Sequence, residues 1–351
     1  MEEKKSLRSL LNEIERSTTS EYTFCVKNGK VTCNGVSFGD AITLKQDIEQ
    51  SFYEIKKYGY FGSLLDELSK KDIKRISHIV SVLLLLHIFY RNNPTIGELI
   101  NNELDSVYNH DGNVYCHHYD FAALLLALCH DLGYIYEIEK DTSKSCNVDI
   151  DTLSLFADIE EKFKEFDCMP DYVNPQVIAF YIKYRQKKDH GIWGALDFWK
   201  KMKSLAEEHK GDPKYPEMLY KYVACNILVH NIWFCYKEPE KFSNAYRKNK
   251  KNYTDNGLAS LVLKKNEPKI KPKSNPLLFL FALVDTIDPV KYALKNEVNL
   301  QVTFTFKNNT LVIKTNSLKY LIDVEDIKCW LVPKTLRIVE GTNYMLAVPL
   351  K

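Results

Sequence analysis

The sequence predicts a mainly α-helical protein with a small α+β unit formed by its terminal segments. From about residue 42 to about residue 294, apolar residues recur at three- and four-residue intervals, the period of helices that bury one face. Near each terminus, apolar and polar residues alternate around an Asn-Gly or Asn-Asn pair, a pattern typical of β-hairpins. We therefore expect three segments: a helix and hairpin over 1–55, a helical domain over 56–296, and an α+β unit over 297–351.

The individual elements follow from the same periods. A helix is predicted over 3–17, and a hairpin over 22–38 turns at Asn28-Gly29. A second hairpin turns at Asn308-Asn309, with a helix near 317–330 and strands near 335–349 after it. Because chain ends often lie close together, the first hairpin is expected to pair with the C-terminal unit. The clearest central helices are predicted over 42–57, 62–69, 72–91, 95–108, 118–132, 152–164, 174–186, 191–208, 216–235 and 275–294.

Composition narrows the class of protein. The chain has 351 residues, of which 45% are hydrophobic and 27% charged, and its net charge is +2. These values are ordinary for a soluble globular protein, and they give no overall field for nucleic acid, although a local basic patch is left open. Nine cysteines form no CxxC pair, which favours a reducing compartment. With no signal peptide or membrane span evident, we expect a cytoplasmic protein that does not bind membranes.

One dipeptide stands out for its chemistry. His130 and Asp131 end the apolar run FAALLLALC, and burying two such polar groups is costly unless something compensates. A divalent cation compensates well, because imidazole and carboxylate are both good ligands for transition metals and Mg²⁺. The pair therefore predicts a metal site.

Four more residues share the setting of a polar ligand in an apolar helix: His78, His190, His230 and Asp285. They are separated along the chain by 40 residues or more, too far for a zinc finger, but suited to a bundle in which each helix lends one inward ligand. His87 lies 2.5 turns after His78, on the opposite face of the same helix, and is not expected to be a ligand.

The ordered set resembles the HD superfamily of metal-dependent phosphohydrolases. That family is all-helical and carries an upstream His, an adjacent His-Asp and a downstream Asp; binuclear members add two histidines between them. The six residues His78, His130, Asp131, His190, His230 and Asp285 match this order, and CHDLGY and DHGIWGAL match its flanking context. The resemblance covers roughly residues 70–295 and implies an HD-type helical bundle. The GYP motif of the HD-GYP branch is absent.

The resemblance implies two divalent ions, with Mn, Fe, Zn, Mg, Co and Ni all compatible with the ligands. Asp131 would bridge the two ions. One ion would also be held by His78, His130 and Asp285, and the other by His190 and His230. A bridging hydroxide would then attack the phosphorus of a small phosphoester, for which a nucleotide or cyclic nucleotide is the expected substrate.

Several further residues are candidates for catalysis and substrate binding. Lys183 is favoured as a phosphate clamp, with Arg185, Lys187 and Lys188 as other basic residues of the same segment. Asp189 is a candidate for orienting a ligand or transferring a proton, and Glu137 for donating one. The alternative for each is a solvated surface residue with no role in catalysis. Tyr134 and Trp193 could line a pocket for a base.

Two other functions use the same residues. HD-fold di-iron oxygenases share the ligand order, but they commonly place a lysine soon after the HD pair, where this chain has Tyr134. A non-catalytic nucleotide-binding regulator would keep the pocket without turnover, although no ligand is missing from the set. The prediction is therefore a metal-dependent phosphomonoesterase or phosphodiesterase, with its oligomeric state left open.

Overall fold

The computed structural model describes most of the chain. The residues described are 6–38, 41–51, 60–109, 118–135, 161–166, 173–185, 189–212, 215–235, 253–263, 270–307, 309–324, 336–340 and 343–350. Their contacts form two compact units. The terminal unit comprises Met1–Leu99 and Phe279–Lys351, and the central unit comprises Ile100–Leu278. The domain boundaries expected after residues 55 and 296 remain predictions.

The sheet of the terminal unit joins the two ends of the chain. It is built from β1 (Glu21–Lys27), β2 (Lys30–Cys33), β3 (Val36–Ser37), β6 (Leu300–Lys307), β7 (Thr310–Thr315), β8 (Leu336–Glu340) and β9 (Asn343–Pro349). Its strand order is β3-β2-β1-β6-β7-β9-β8, and every pairing is antiparallel. Since β1 pairs with β6, the expected pairing of the N-terminal hairpin with the C-terminal segment is confirmed.

The first hairpin turns where the sequence predicts it. Asn28 and Gly29 have φ of 50° and 77°, which is the left-handed backbone of a two-residue type I′ turn. A second Asn-Gly pair, Asn34 and Gly35, turns the chain again with φ of 49° and 79°. The predicted segment 22–38 therefore contains three strands instead of two.

The helices of the terminal unit pack on the sheet and on one another. They are α1 (Leu7–Arg16), α2 (Ala41–Ser51), α3 (Tyr60–Lys71), α4 (Lys74–Asn92), α11 (Pro289–Asn296) and α12 (Leu318–Val324). Alternate residues of β1 and β6 are buried, and Phe89 of α4 packs edge-on against Phe304 and Phe306, at ring separations of 6.0 and 4.9 Å. The core of the terminal unit therefore lies between α4 and the sheet.

The central unit is built mainly from helices. It contains α6 (His118–Cys129), α7 (Pro175–Arg185), α8 (His190–Glu208) and α9 (Glu217–Val229), with a short parallel pair of β4 (Phe234–Cys235) and β5 (Val262–Leu263). Helix α9 packs against both α6 and α8. The helices α5 (Pro94–Asn109) and α10 (Pro276–Ile287) contain the points at which the chain passes from one unit to the other.

Three helix ends differ from the expectation. The helix predicted over 275–294 is two helices, because Asp288 precedes Pro289 and proline cannot continue the backbone hydrogen bonds of a helix. The helix predicted over 118–132 ends at Cys129, and the one over 216–235 ends at Val229 before a short strand. A mostly helical chain with a terminal sheet is confirmed. Most of the predicted helix 152–164 lies outside the described residues.

The reducing compartment that the sequence favours would keep the cysteines as thiols. Cys25, Cys33 and Cys129 are free, and burial raises the pKa of the Cys33 thiol to about 12. Cys225 is disulfide-bonded, so the expectation is wrong for this residue.

Candidate metal centre

In the central unit, His130 and Asp131 lie directly after the most apolar helix. Leu125, Leu126 and Leu128 of α6 are fully buried, and the helix delivers His130 and Asp131 to positions that are 0% and 1% exposed. The chain then turns through Gly133, where there is no space for a side chain. A β-carbon there would collide with the backbone carbonyl of His190. The HD pair and the start of α8 are thereby brought into contact.

Backbone carbonyls fix the protonation of two histidines. His130 Nδ1 lies 2.9 Å from the Ala127 carbonyl oxygen and 3.2 Å from that of Leu126. His230 Nδ1 lies 2.5 Å from the Ile227 carbonyl oxygen. A carbonyl can only accept, so Nδ1 carries the proton in both rings and Nε2 keeps its lone pair. This is the tautomer in which an imidazole binds metal through Nε2.

Asp131 lies at the centre of the central-unit group. Its Oδ1 is 3.6 Å from His130 Nε2 and 3.9 Å from His190 Nε2. The potential ligand atoms of Asp131, His190 and His230 all lie within 4.8 Å of one another, and the three residues form one potential metal-binding group. Two ligands of one cation lie about 3–3.6 Å apart when each is about 2.1 Å from it. The spacing therefore fits a shared cation after small side-chain adjustments.

His190 begins α8 and is positioned by the residue before it. Asp189, 2% exposed, caps the helix by accepting hydrogen bonds from the Gly191 and Ile192 backbone N–H groups at 3.0 and 3.5 Å. Its other oxygen accepts from the Tyr181 hydroxyl at 3.0 Å. An N-cap carboxylate with these donors holds the first turn of the helix in place. These contacts fix the start of α8, and with it the backbone position of His190.

Asn231 connects this cap to the His190 ring. Its Nδ2 donates to Asp189 Oδ1 at 3.1 Å and lies 2.9 Å from His190 Nε2. Its Oδ1 is buried and has no hydrogen-bond partner within the described part of the chain. Exchanging the amide atoms would bring Oδ1 against the Asp189 carboxylate, so the Asp189 contact favours the present orientation.

Aromatic residues surround the same imidazole. The Tyr134 ring stacks on the His190 ring, with centroids 3.9 Å apart and planes 16° from parallel. Such stacking restricts the rotation of the imidazole. The predicted role of Tyr134 and Trp193 in a pocket for a base stays a prediction.

The terminal unit holds a second group of ligand-type residues. His78 on α4 is 2% exposed, and its Nε2 lies 3.2 Å from Oδ1 of Asp285 on α10. Its Nδ1 lies 2.6 Å from Oδ2 of Asp288, which is also 2% exposed. Lys291 places its Nζ 2.6 Å from Asp285 Oδ1, so that carboxylate has both a histidine and an ammonium group beside it.

The remaining predicted residues lie apart or are not described. Lys183 is exposed on α7, and its role as a phosphate clamp stays a prediction. Glu137, Lys187, Lys188 and the side chain of Arg185 lie outside the described part of the chain. His87 is buried, and burial lowers its pKa to about 4.

Sequence reasoning missed the roles of Asp288 and Asn231. The Asp-Pro step at 288–289 is a recognisable helix start, since proline is favoured at the first helical position after a capping aspartate. That signal could have identified the break in the predicted helix and, with it, a buried carboxylate near Asp285. The sequence around Asn231 does not indicate its contacts with Asp189 and His190.

No known protein family, curated protein or solved structure matches this chain. The fold and the site define a mainly helical protein with a buried His/Asp group that could hold a metal ion. Within the described residues, no helix has the length and apolar character needed to cross a bilayer.

Proposed function

We propose that this protein is a metal-dependent phosphohydrolase that cleaves a small phosphoester, with a nucleotide or cyclic nucleotide as the substrate class. The observation that carries the proposal is the arrangement of His130 and His230, whose Nδ1 atoms face backbone carbonyls. Their Nε2 lone pairs are thereby kept for a ligand beside the buried Asp131 carboxylate.

Electrostatics supports a cation in the central-unit group. A buried carboxylate among neutral imidazoles is unfavourable without a compensating positive charge. The residues whose spacing suits one ion are Asp131, His190 and His230, and His130 lies beside them. The two-ion centre that includes His78 and Asp285 stays a prediction from the order of ligands along the chain.

A bound divalent cation supplies Lewis acidity and lowers the pKa of coordinated water, which is the chemistry that phosphoester hydrolysis needs at neutral pH. Hydrolysis consumes one water: a new bond forms from its oxygen to phosphorus, the bond to the leaving oxygen breaks, and that oxygen takes up a proton. In this proposal Asp189 and Asn231 hold the His190 ring, Tyr134 restricts its rotation, and the apolar residues of α6 keep bulk water away from Asp131.

The test is hydrolysis by purified, metal-reconstituted protein over a panel of nucleoside phosphates and cyclic nucleotides. We expect release of inorganic phosphate or a nucleoside monophosphate with Mn²⁺ or another divalent ion. The activity should be lost in His130→Ala and kept in His209→Ala, where the exposed histidine at the end of α8 provides a matched control.

The outcomes also separate the alternative functions. Stoichiometric iron with a mixed-valent spectrum and no phosphoester cleavage would favour the di-iron oxygenase. Tight nucleotide binding without turnover, with every metal tried, would favour the regulator. Either result overturns the phosphohydrolase proposal.

A further inference from the structure

The corner between α10 and α11 carries a buried carboxylate with an unusual set of partners. Asp288 caps α11 by accepting from the Val290 and Lys291 backbone N–H groups, each at 3.0 Å. The same carboxylate accepts from the Ser81 hydroxyl at 2.5 Å and lies 2.6 Å from His78 Nδ1. One side chain therefore connects the start of α11 to two residues one turn apart on α4.

From these contacts we infer that Asp288 is the positioning residue for His78, and that the terminal sheet keeps it in place. The inference rests on the proposed metal function of His78. It assigns to the α+β part of the chain the positioning of one proposed metal ligand, in addition to closing the core of the terminal unit.

The tautomer of His78 follows from this contact. The Asp288 carboxylate accepts the Nδ1 proton at 2.6 Å, while Nε2 lies 3.2 Å from Asp285 Oδ1, which also accepts from Lys291 Nζ. Because Asp288 keeps the proton on Nδ1, Nε2 is the nitrogen that would bind a cation held beside Asp285. A carboxylate behind a ligating histidine also raises the basicity of the ring. His78 is thus prepared to bind a cation through Nε2, by a side chain in place of the carbonyls that serve His130 and His230.

A neutral amide cannot replace this carboxylate. Each oxygen of Asp288 faces two polar partners: Oδ1 the Ser81 hydroxyl and the Val290 N–H, and Oδ2 the His78 ring and the Lys291 N–H. An asparagine offers only one oxygen. Its NH₂ group would oppose a backbone N–H on either side, and facing His78 it would force the ring into the Nε2–H form.

Contacts from α12, α4 and the sheet keep the corner between α10 and α11 in place. Tyr320 of α12, which is fully buried, donates from its hydroxyl to the carbonyl of Ile287 at 2.5 Å, one residue before Asp288. Helix α11 packs on α4, β1 and β6, and the Lys74 ammonium contacts the Leu294 carbonyl and Glu297 near the end of α11. Both ends of α11 are therefore fixed relative to α4.

The experiment compares Asp288→Asn with Asp72→Asn in the full chain. Asp72 lies just before α4 and bonds the Lys74 backbone N–H, so it receives the same substitution without touching His78. The first readout is the ¹⁵N chemical shift of the His78 ring in metal-free protein, which reports the tautomer. The second is Mn²⁺ affinity by calorimetry. Thermal unfolding checks that each variant folds.

We expect Asp288→Asn to shift the His78 Nδ1 resonance away from that of an N–H bonded to a carboxylate, and to weaken Mn²⁺ binding about 10- to 100-fold. Asp72→Asn should change neither. Tyr320→Phe, with Tyr22→Phe as its control in the same unit, should weaken Mn²⁺ binding less, because the cap of α11 remains. An unchanged His78 spectrum in folded Asp288→Asn overturns the inference. If Asp288→Asn does not fold, two other results decide. An unchanged Mn²⁺ affinity in Tyr320→Phe overturns the role of the sheet. A wild-type His78 ring without a proton on Nδ1 overturns the positioning role of Asp288.

Failure of the inference can be told from failure of the proposed function. The tautomer is measured without metal or substrate. If Asp288→Asn alters the His78 Nδ1 resonance and Mn²⁺ affinity while wild-type protein cleaves no phosphoester, Asp288 keeps its positioning role and the phosphohydrolase proposal alone is overturned.

Discussion

The backbone of Gly133 approaches the backbone carbonyl of His190 so closely that a β-carbon on Gly133 would overlap it. Gly194, one turn further along α8, packs against Gly133 as well, with its own β-carbon position 3.2 Å from the Gly133 α-carbon. The turn after the HD pair and the first turn of α8 thus meet backbone to backbone. This close approach is what places His190 beside Asp131.

Replacing Gly133 by alanine should therefore separate these two elements. We expect a loss of about 1–3 kcal/mol in the free energy of unfolding, typical of overpacking, together with weaker binding of a divalent ion. Chemical denaturation and calorimetry measure the two effects. Gly97→Ala is the control, because its β-carbon would meet the Tyr90 carbonyl oxygen at 3.3 Å and the Tyr90 ring at 3.5 Å, without overlapping either. Equal Mn²⁺ affinity in wild type and Gly133→Ala would show that the close approach does not position His190.

The stack of Tyr134 on His190 leads to a second prediction. Tyr134→Phe should keep the ring contact and the metal affinity, whereas Tyr134→Ala should lower the affinity. Ring stacking contributes about 0.5–1.5 kcal/mol, so the dissociation constant should rise roughly 2- to 12-fold. Titration calorimetry with Mn²⁺ distinguishes the two variants. If Phe and Ala behave alike, the stack does not position the imidazole.

Burial of His87 predicts a loss of stability in acid. Burial lowers its pKa from 6.5 to about 4, so the unfolded chain binds a proton between these values while the folded chain does not. The free energy of unfolding should fall as the pH drops from about 6.5 to about 4, by about 3 kcal/mol at most. His87→Leu should flatten this part of the stability curve relative to wild type, and His209→Leu should not. A His87→Leu curve parallel to that of wild type would contradict the prediction.

Burial of Glu103 predicts that the protein loses stability as the pH rises. Burial raises its pKa to about 7, against the hydrogen bonds from Tyr222 and from the Leu277 backbone N–H at 3.2 Å, which lower it. The folded chain then keeps a proton that the unfolded chain has lost, so the free energy of unfolding should decrease as the pH rises from about 4.5 to about 7.

Urea denaturation of Glu103→Gln at several pH values tests this dependence. The variant should lose less stability than wild type between pH 5 and 7. Glu98→Gln, an exposed position on the same helix, should follow wild type. A Glu103→Gln variant with the wild-type slope would show that Glu103 ionises in the folded protein as it does in the unfolded chain.

Much of the fold could be predicted because the spacing of apolar residues stays constant through each whole helix or strand. The Asn28-Gly29 turn is local: two residues that accept left-handed backbone define it, and the alternation on both sides sets the strands. The break at Asp288-Pro289 was missed because apolar residues continue on both sides of it. There the proline, rather than the period, ends α10.

The candidate ligands could be predicted, but their positioning partners could not. A histidine in an apolar helix is visible in the sequence, as His78 and His230 are. The partner of His78 is 210 residues away, and the contact exists only because α11 packs against α4. Likewise, the contact of Asn231 with Asp189 joins residues that are 42 positions apart, so tertiary packing alone creates it.

The central claim is that the buried group around Asp131 binds a divalent cation. Its most direct test is calorimetric titration of purified, metal-stripped protein with Mn²⁺ and Zn²⁺, with metal content measured on the same samples. We predict at least one ion bound per chain in wild type and in His209→Ala, and loss of that ion in Asp131→Ala and His230→Ala variants that remain folded. Wild-type protein that binds no divalent ion, or variants that bind it as wild type does, would contradict the claim.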